Sequence, residues 1–248
     1  MKTAKELQAS PIVGETHQVQ NVASELHSYN LFTTDAALLE GVKREGGAWG
    51  IPEIAAFGDK CGKPEYLELG FLANKYPPEL DTHDRFGNRV DSVRYHGAYH
   101  ELMKSALEEG LHSQPWTNPR EGAHVVRGAK AFMQSQVEAG HGCPVTMTFA
   151  SIPSFRLQPE VAAIFESKIL HRGYDPRNLP VDEKLSITVG MGMTEKQGGS
   201  DVRANSTVAT PVNQPGAGQM YSLVGHKWFL SAPMCDVFLI LAQTTAGV

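Results

Sequence analysis

The sequence predicts an α+β chain of more than one domain, a helical unit followed by the start of a β-domain. Two observations carry this. Apolar residues recur with helical period from residue 34 to about 170, whereas residues 185–248 break into short β-branched and aromatic runs separated by turn residues. Helices and strands also succeed one another without alternating, which argues for separate helical and β parts rather than a parallel α/β sheet.

Residues 1–33 are polar, mixed in charge and free of an apolar signal region, and read as an N-terminal extension. The helical unit is expected over 34–183. Short helices are expected at 35–44, 52–60 and 64–75, with Pro52 and Pro64 at first-turn positions that tolerate a missing N–H. Asp81–Asn88 is turn-rich and reads as an exposed excursion. Tyr99, Leu102, Met103, Ala106 and Leu107 fit one helical face, with Gly110 as the stop. Val125, Val126, Ala129, Phe132, Met133 and Val137 make a second stripe. That helix is expected to open at Asn118-Pro119, with Glu121 in its first turn, and to close at Gly140. A further helix is expected near 144–151, and Val161, Ile164, Phe165 and Ile169 form a last stripe.

The β part is expected over 184–248. Its strand-like runs are Ile187–Gly190, Ser206–Thr210, Met220–Val224 and Val237–Ala242, with Pro211–Gly218 a loop by composition. A sheet of three or four such strands ending at Val248 would leave an open edge, so the chain is expected to be the N-terminal portion of something longer.

The chain has 248 residues, 41% of them apolar, and a formal net charge of -5. This suffices for a sizeable core and gives no electrostatic case for DNA binding by this segment. The longest apolar run, Val237 to Ala242, is far short of the roughly 20 residues of a membrane span, so no membrane association is expected. Cys61, Cys143 and Cys235 are odd in number and far apart, which supports neither a disulfide framework nor a zinc site. A reducing, cytoplasmic setting follows, with each cysteine read as a small buried apolar residue.

One stretch carries chemistry. Gly190 to Ala204 reads as a strand running into a loop with glycines at 190, 192, 198 and 199. Glycine permits close backbone approach and positive φ, Thr194 and Ser200 add hydroxyls, and successive N–H groups can face carbonyls or phosphates. No Lys-Ser/Thr pair follows the glycines, so this is not a Walker loop. Nor does it open a helix, as the dinucleotide fingerprint must.

Gly192-Met193-Thr194-Glu195, Gly198-Gly199-Ser200-Asp201 and Ala204 resemble the acyl-CoA dehydrogenase signature at every constrained position. Gly225-His226-Lys227-Trp228-Phe229-Leu230-Ser231 resembles the family's second flavin segment, a Gly-x-Lys-x-Trp-Ile-Thr strand. Within the family, Arg44-Glu45-Gly46-Gly47, Leu72-Ala73-Asn74, Pro77-Pro78-Glu79-Leu80, Gln136–Ala150 and Met191–Val202 are similar to the AidB branch, the homologues linked to the adaptive response to alkylation.

The resemblance implies a family fold of N-terminal helical domain, middle β-barrel domain and C-terminal helical bundle. This chain would hold the first and roughly half of the second, without the bundle. It implies FAD as cofactor, an acyl-CoA or related small molecule as partner, and a homotetramer. It implies cofactor contacts from Met191, Met193, Thr194, Gly199, Ser200, Phe229, Leu230 and Ser231. Met193 and Thr194 would meet the pyrimidine edge, Gly199 and Ser200 the pyrophosphate or acyl-CoA side, Phe229 a ring face and Ser231 the region of N5. Phe229 departs from the family's usual Trp, and Ala232-Pro233 from its Asn-Gly turn. The family's catalytic glutamate belongs to the C-terminal bundle, so no catalytic residue is assigned here, and Glu195 is given the role of fixing the loop. A dehydrogenase acting on an acyl-CoA thioester is the first reading. The alternative is a DNA-associated alkylation-response flavoprotein whose DNA-binding part lies beyond Val248.

Other constellations read as structural. His96 and His100 have the spacing of two zinc ligands, but Gly97 stands where a Glu would follow, and no metal site is expected. His141 and Cys143 lack evidence of a nucleophilic pairing, and His226 is expected to face solvent.

Overall fold

Helix α1 (Ala36–Arg44) starts where Asp35 accepts a hydrogen bond from the Leu38 N–H at 2.9 Å. Helices α2 (Ile51–Cys61) and α3 (Pro64–Lys75) follow, with Pro52 and Pro64 in their first turns as expected. The computed structural model describes residues 20–247, so residues 1–19 of the expected extension lie outside the described residues. Helix α4 (Gly97–Glu108) buries Tyr99, Leu102, Met103, Ala106 and Leu107, and Gly110 follows at φ +73° as its stop.

Three expectations for the helical unit change. The Asp81–Asn88 excursion is exposed but ordered as a hairpin, β1 (Glu79–His83) against β2 (Arg89–Arg94). Asp84 closes its turn by accepting from the N–H groups of Phe86 and Asn88 at 2.8 and 2.9 Å. The second apolar stripe is helix α6 (Ala123–Val137), which begins after Gly122 rather than at Asn118-Pro119 and ends at Val137 rather than Gly140. Asn118 instead caps the single turn α5 (Gln114–Thr117), and Gly122 takes a left-handed φ of +72° that ends the approach. Glu121 therefore sits outside the helix. The helix expected near 144–151 is longer: α7 (Gly142–Arg156) runs through Pro153. Proline has no N–H for the Phe149 carbonyl, and the Trp116 indole N–H fills that gap at 2.9 Å. Helix α8 (Pro159–Ile169) completes the unit.

The first core joins α2, α4 and α6 through Phe32, Ile54, Phe57, Leu102, Val126 and Met133. Gly70 lets α3 press on the end of α6, since a β-carbon there would stand 2.1 Å from the Val137 carbonyl oxygen. Helix α6 carries a buried charge. Lys130 is inaccessible and pairs with Glu53 and, at 3.1 Å, with Glu109. Its position on the apolar face of α6 gave no sign of this.

The β part holds β3 (Val189–Gly192), β4 (Val208–Pro211), β5 (Tyr221–Val224) and β6 (Val237–Ile240). Strand β3 pairs with β6 in parallel, Val189 opposite Val237, and β4 pairs with β5 antiparallel, Val208 opposite Val224. A parallel bridge between Val208 and Gln243 joins the two pairs. The β part is fastened to the helices by Ile152, Phe155 and Ile169 packing on Ile187 and Val189. The Val189 N–H also donates to the Thr148 hydroxyl at 3.0 Å. Among the described residues no helix is long and apolar enough to cross a membrane.

Candidate functional site

Strand β3 ends at Gly192, and the chain enters the glycine loop. Gly192 is buried against Ile240 of β6 and against Lys227 and Leu230 of the second motif. The two motifs therefore meet, although twenty residues lie between Ala204 and Gly225 in the chain. The Trp228 N–H donates to the Thr194 carbonyl at 2.9 Å, and the Lys196 N–H donates to Nε2 of His226 at 3.2 Å. Gly199 lies against the Thr194 side chain, 3.3 Å from its hydroxyl to the nearest point a β-carbon would occupy.

Glu195 holds this arrangement. It is 2% exposed and accepts five hydrogen bonds: from the Ser206 N–H and hydroxyl at 2.7 Å each, from the Thr207 N–H and hydroxyl at 2.8 and 2.6 Å, and from the side-chain amide of Gln197. The Lys227 ammonium approaches at 3.4 Å. Burial opposes the charge, but the bonds from Thr207 and Ser206 outweigh it and hold the carboxyl well below the usual range. A carboxylate so fully engaged has no free oxygen to act as a base. The loop-fixing role assigned from the sequence is therefore what the geometry gives.

The second motif departs from expectation in one respect. Residues 225–231 form an irregular extended loop after β5 rather than a strand. The physical reason lies in the backbone: Gly225 takes φ +157° and Phe229 takes φ +59°, a left-handed conformation costly for a bulky residue and incompatible with a ladder. Phe229 is 75% exposed, Trp228 46% and Leu230 38%. These side chains form an open apolar face beside Thr194. The Ser231 hydroxyl donates to the Phe229 carbonyl at 3.2 Å, and among the described residues no hydrogen bond engages the hydroxyl of Thr194 or Ser200.

A flavin ring needs hydrogen-bonding groups at its polar edge and an apolar wall over its flat body. The unengaged Thr194 hydroxyl beside an exposed aromatic face, with the unengaged Ser200 hydroxyl further along the same loop, fits that requirement. Met191 and Met193 are half-buried where β3 runs into the loop, and Gly199, Ser200, Phe229 and Ser231 are exposed on the open side.

The remaining candidates stay structural. His96 caps α4 by accepting from the Ala98 N–H at 3.2 Å, while His100 bonds the Tyr174 hydroxyl at 2.9 Å, so the pair shares no ligand. Among the described residues no cluster of three or more His, Cys, Asp or Glu could hold a metal ion. His141 is buried between Glu138 at 2.7 Å and Gln134 at 2.9 Å, and Cys143 is exposed, a correction to its reading as a buried thiol. Cys61 and Cys235 are buried, and burial pushes their thiols up to about 12 and about 11. His226 is exposed, as expected, yet it accepts from the loop.

Residues 21–176 match the model of the adaptive response protein AidB N-terminal domain. Residues 190–248 match the acyl-CoA dehydrogenase middle domain. The chain belongs to the acyl-CoA dehydrogenase family, in its AidB-type branch. It is 44% identical over 236 residues to the putative acyl-CoA dehydrogenase AidB of Escherichia coli K12, covering 94% of this chain and 43% of that protein. It is 30% identical over 197 residues to acyl-CoA dehydrogenase family member 11 of Caenorhabditis elegans, covering 77% of this chain and 30% of the relative.

Among solved structures, the apo form of Bd2924 aligns with a TM-score of 0.76 at 27% identity, over 91% of this chain and 44% of its own. Caenorhabditis elegans ACDH-11 in complex with C11-CoA aligns with a TM-score of 0.72 at 25% identity, over 100% of this chain and 41% of its own. The chain thus spans less than half the length of each of these relatives. The helical unit and the start of the middle β-domain stand as the family fold predicts.

The sequence missed the residues that brace this site. Ser206 and Thr207 close around Glu195 from eleven and twelve residues away, and no local pattern announces such a return. Asp236, described below, is equally silent in sequence.

Proposed function

We propose that the glycine loop and the 225–231 segment form one side of an FAD site in an acyl-CoA dehydrogenase-type flavoprotein. The observation that carries this is the meeting of the two motifs, through the Trp228–Thr194 backbone bond and the buried Glu195 clasp. Met191, Met193 and Thr194 would serve the pyrimidine edge, and Ser231 the region of N5. Phe229 and Leu230 would cover a ring face, and Gly199 and Ser200 would line the pyrophosphate or acyl-CoA side. When bound, FAD supplies the hydride acceptor for α,β-dehydrogenation of an acyl-CoA thioester. The C11-CoA complex of ACDH-11 supports a thioester of that class as the substrate.

A second reading is supported by the 44% identity to AidB and the AidB-domain match. In it the flavin is structural and the whole protein is a DNA-associated alkylation-response factor, with its DNA contacts outside residues 1–248. Both readings require FAD, and both extend to a cytoplasmic homotetramer by family resemblance.

The test is titration of the full-length protein and its Thr194→Ala and Ser231→Ala variants with FAD, read by flavin fluorescence. Each variant is expected to bind about tenfold more weakly, the worth of one hydrogen bond to the ring. Unchanged affinity in both would sink the assignment of the ring edge. The isolated 248-residue chain is expected to bind weakly, since its half-site is open.

A further inference from the structure

A cavity of about 250 Å³ lies between β2, the start of α4, the segment after α8 and the turn before β6. One wall is the extended stretch that leads into β3. Side chains on extended backbone alternate between faces. Ile187 and Val189 turn into the core, while Lys184, Ser186 and Thr188 line the cavity. The proposed flavin contacts follow the other end of β3, so this site is separate from that one.

The lining is mainly polar, and much of it is bonded to itself. Lys184 is buried and gives one N–H to Asp236 at 2.6 Å, and the Thr188 N–H donates to the same carboxylate at 2.8 Å. Asp175 accepts from Arg177 at 2.8 and 2.7 Å and from the Leu185 N–H at 3.0 Å. Ser186 is the exception. It is 3% exposed, and among the described residues its hydroxyl has no hydrogen-bond partner. That hydroxyl is not fully covered, so the surface it keeps opens on the cavity it lines. The Ser92 hydroxyl on β2 is likewise unengaged among the described residues, as are two of the three N–H groups of the Lys184 ammonium. A buried polar group without a partner is costly and calls for one.

We propose that this cavity binds a small neutral polyol of pentose size, with one of its hydroxyls on Ser186. Three carboxylates, Asp91, Asp175 and Asp236, line the cavity against two fixed cations, Arg177 and Lys184, which disfavours an anion. Burial lowers the pKa of the lining His100 and so favours its neutral form. Each carboxylate already has a cationic partner, Asp91 in Arg89 at 2.6 Å, so a cation finds none uncompensated. An apolar ligand would strand the Ser186 hydroxyl and the free ammonium N–H groups. A polyol meets both, because each of its hydroxyls donates and accepts and can replace an ordered water without losing bonds. At about 30 Å³ per liquid water the space equals roughly eight waters, room for a five-carbon polyol.

Xylitol, 1,5-pentanediol and xylonate serve as probes on the full-length protein, followed by ligand-observed NMR and by crystal soaking. Xylitol is expected to bind saturably, with a Kd on the order of 1 mM. Pentanediol lacks the inner hydroxyls and xylonate carries a negative charge, so each is expected to bind at least about tenfold more weakly. Ser186→Ala removes only the unpartnered hydroxyl, so it is expected to keep the parent Tm. It should weaken xylitol by roughly three- to tenfold, the worth of one hydrogen bond. The proposal is overturned if xylitol shows no saturable binding, or if pentanediol or xylonate binds as well. It is also overturned if Ser186→Ala binds xylitol like the parent, or if soaked crystals show water alone on the Ser186 hydroxyl. Should Ser186→Ala fail to fold, the ranking of the three probes on the parent protein still decides.

Discussion

Asp236 stands where the turn before β6 meets the start of β3, and replacing it by Asn isolates one carboxylate's work. One carboxylate oxygen takes the Lys184 ammonium at 2.6 Å. The other takes the Thr188 N–H at 2.8 Å and, weakly, its hydroxyl at 3.4 Å. Both side chains of the ion pair are under 10% exposed, at 6% and 8%. In Asp236→Asn the amide oxygen can keep the Thr188 N–H, and the amide N–H₂ then faces a buried ammonium with no counter-charge. Breaking a buried pair from one side costs about 3–5 kcal/mol, a large part of the roughly 5–15 kcal/mol by which a domain is stable.

The cost belongs mainly to the stranded Lys184, so adding Lys184→Met should return part of it. Recovery of about 1 kcal/mol or more is expected in the double variant. Urea unfolding followed by far-UV circular dichroism gives all four corners of the cycle. An Asp236→Asn loss within about 0.5 kcal/mol of zero, or a double variant no better than the single, would refute the latch.

Two further predictions follow from other buried groups. Burial lowers the His112 pKa from 6.5 to about 4, with its Nε2–H on the His171 carbonyl at 3.0 Å. The unfolded chain then takes up a proton between those values that the folded chain refuses. Stability is therefore full above about pH 6.5 and falls toward pH 4, by on the order of 3 kcal/mol. His112→Gln should flatten the slope of unfolding free energy in that window, and an unchanged slope would reject the assignment. Glu195→Gln leaves an amide that cannot accept from all four donors of Ser206 and Thr207. Amide exchange at those two residues should rise by roughly tenfold or more and FAD uptake should weaken with it. Exchange like the parent's would show that the clasp is not what fixes the loop.

Much of the fold was legible because periodicity reports the buried face directly. The α4 stripe named its own core and the α6 stripe did so except at Phe132, which is 52% exposed, while Pro52 and Pro64 marked helix starts within a residue. What failed was decided by geometry beyond the pattern. Asn118-Pro119 looked like a helix start, yet the left-handed Gly122 delays α6 by a turn. The 225–231 segment carries strand-type residues, but the left-handed backbone at Phe229 keeps it out of any ladder. At the site, glycine spacing and hydroxyl placement pointed to the loop, since those residue types are needed wherever backbone approaches a ligand. The long-range partners of Glu195 and the Asp236 latch are tertiary pairings, and no local sequence period encodes them.

The central claim is that this half-site holds FAD. Absorbance in the flavin bands of purified full-length protein, with and without added FAD and after removal of excess, tests it most directly. A yellow protein retaining close to one FAD per chain is the predicted result. A colourless protein that takes up none would contradict it.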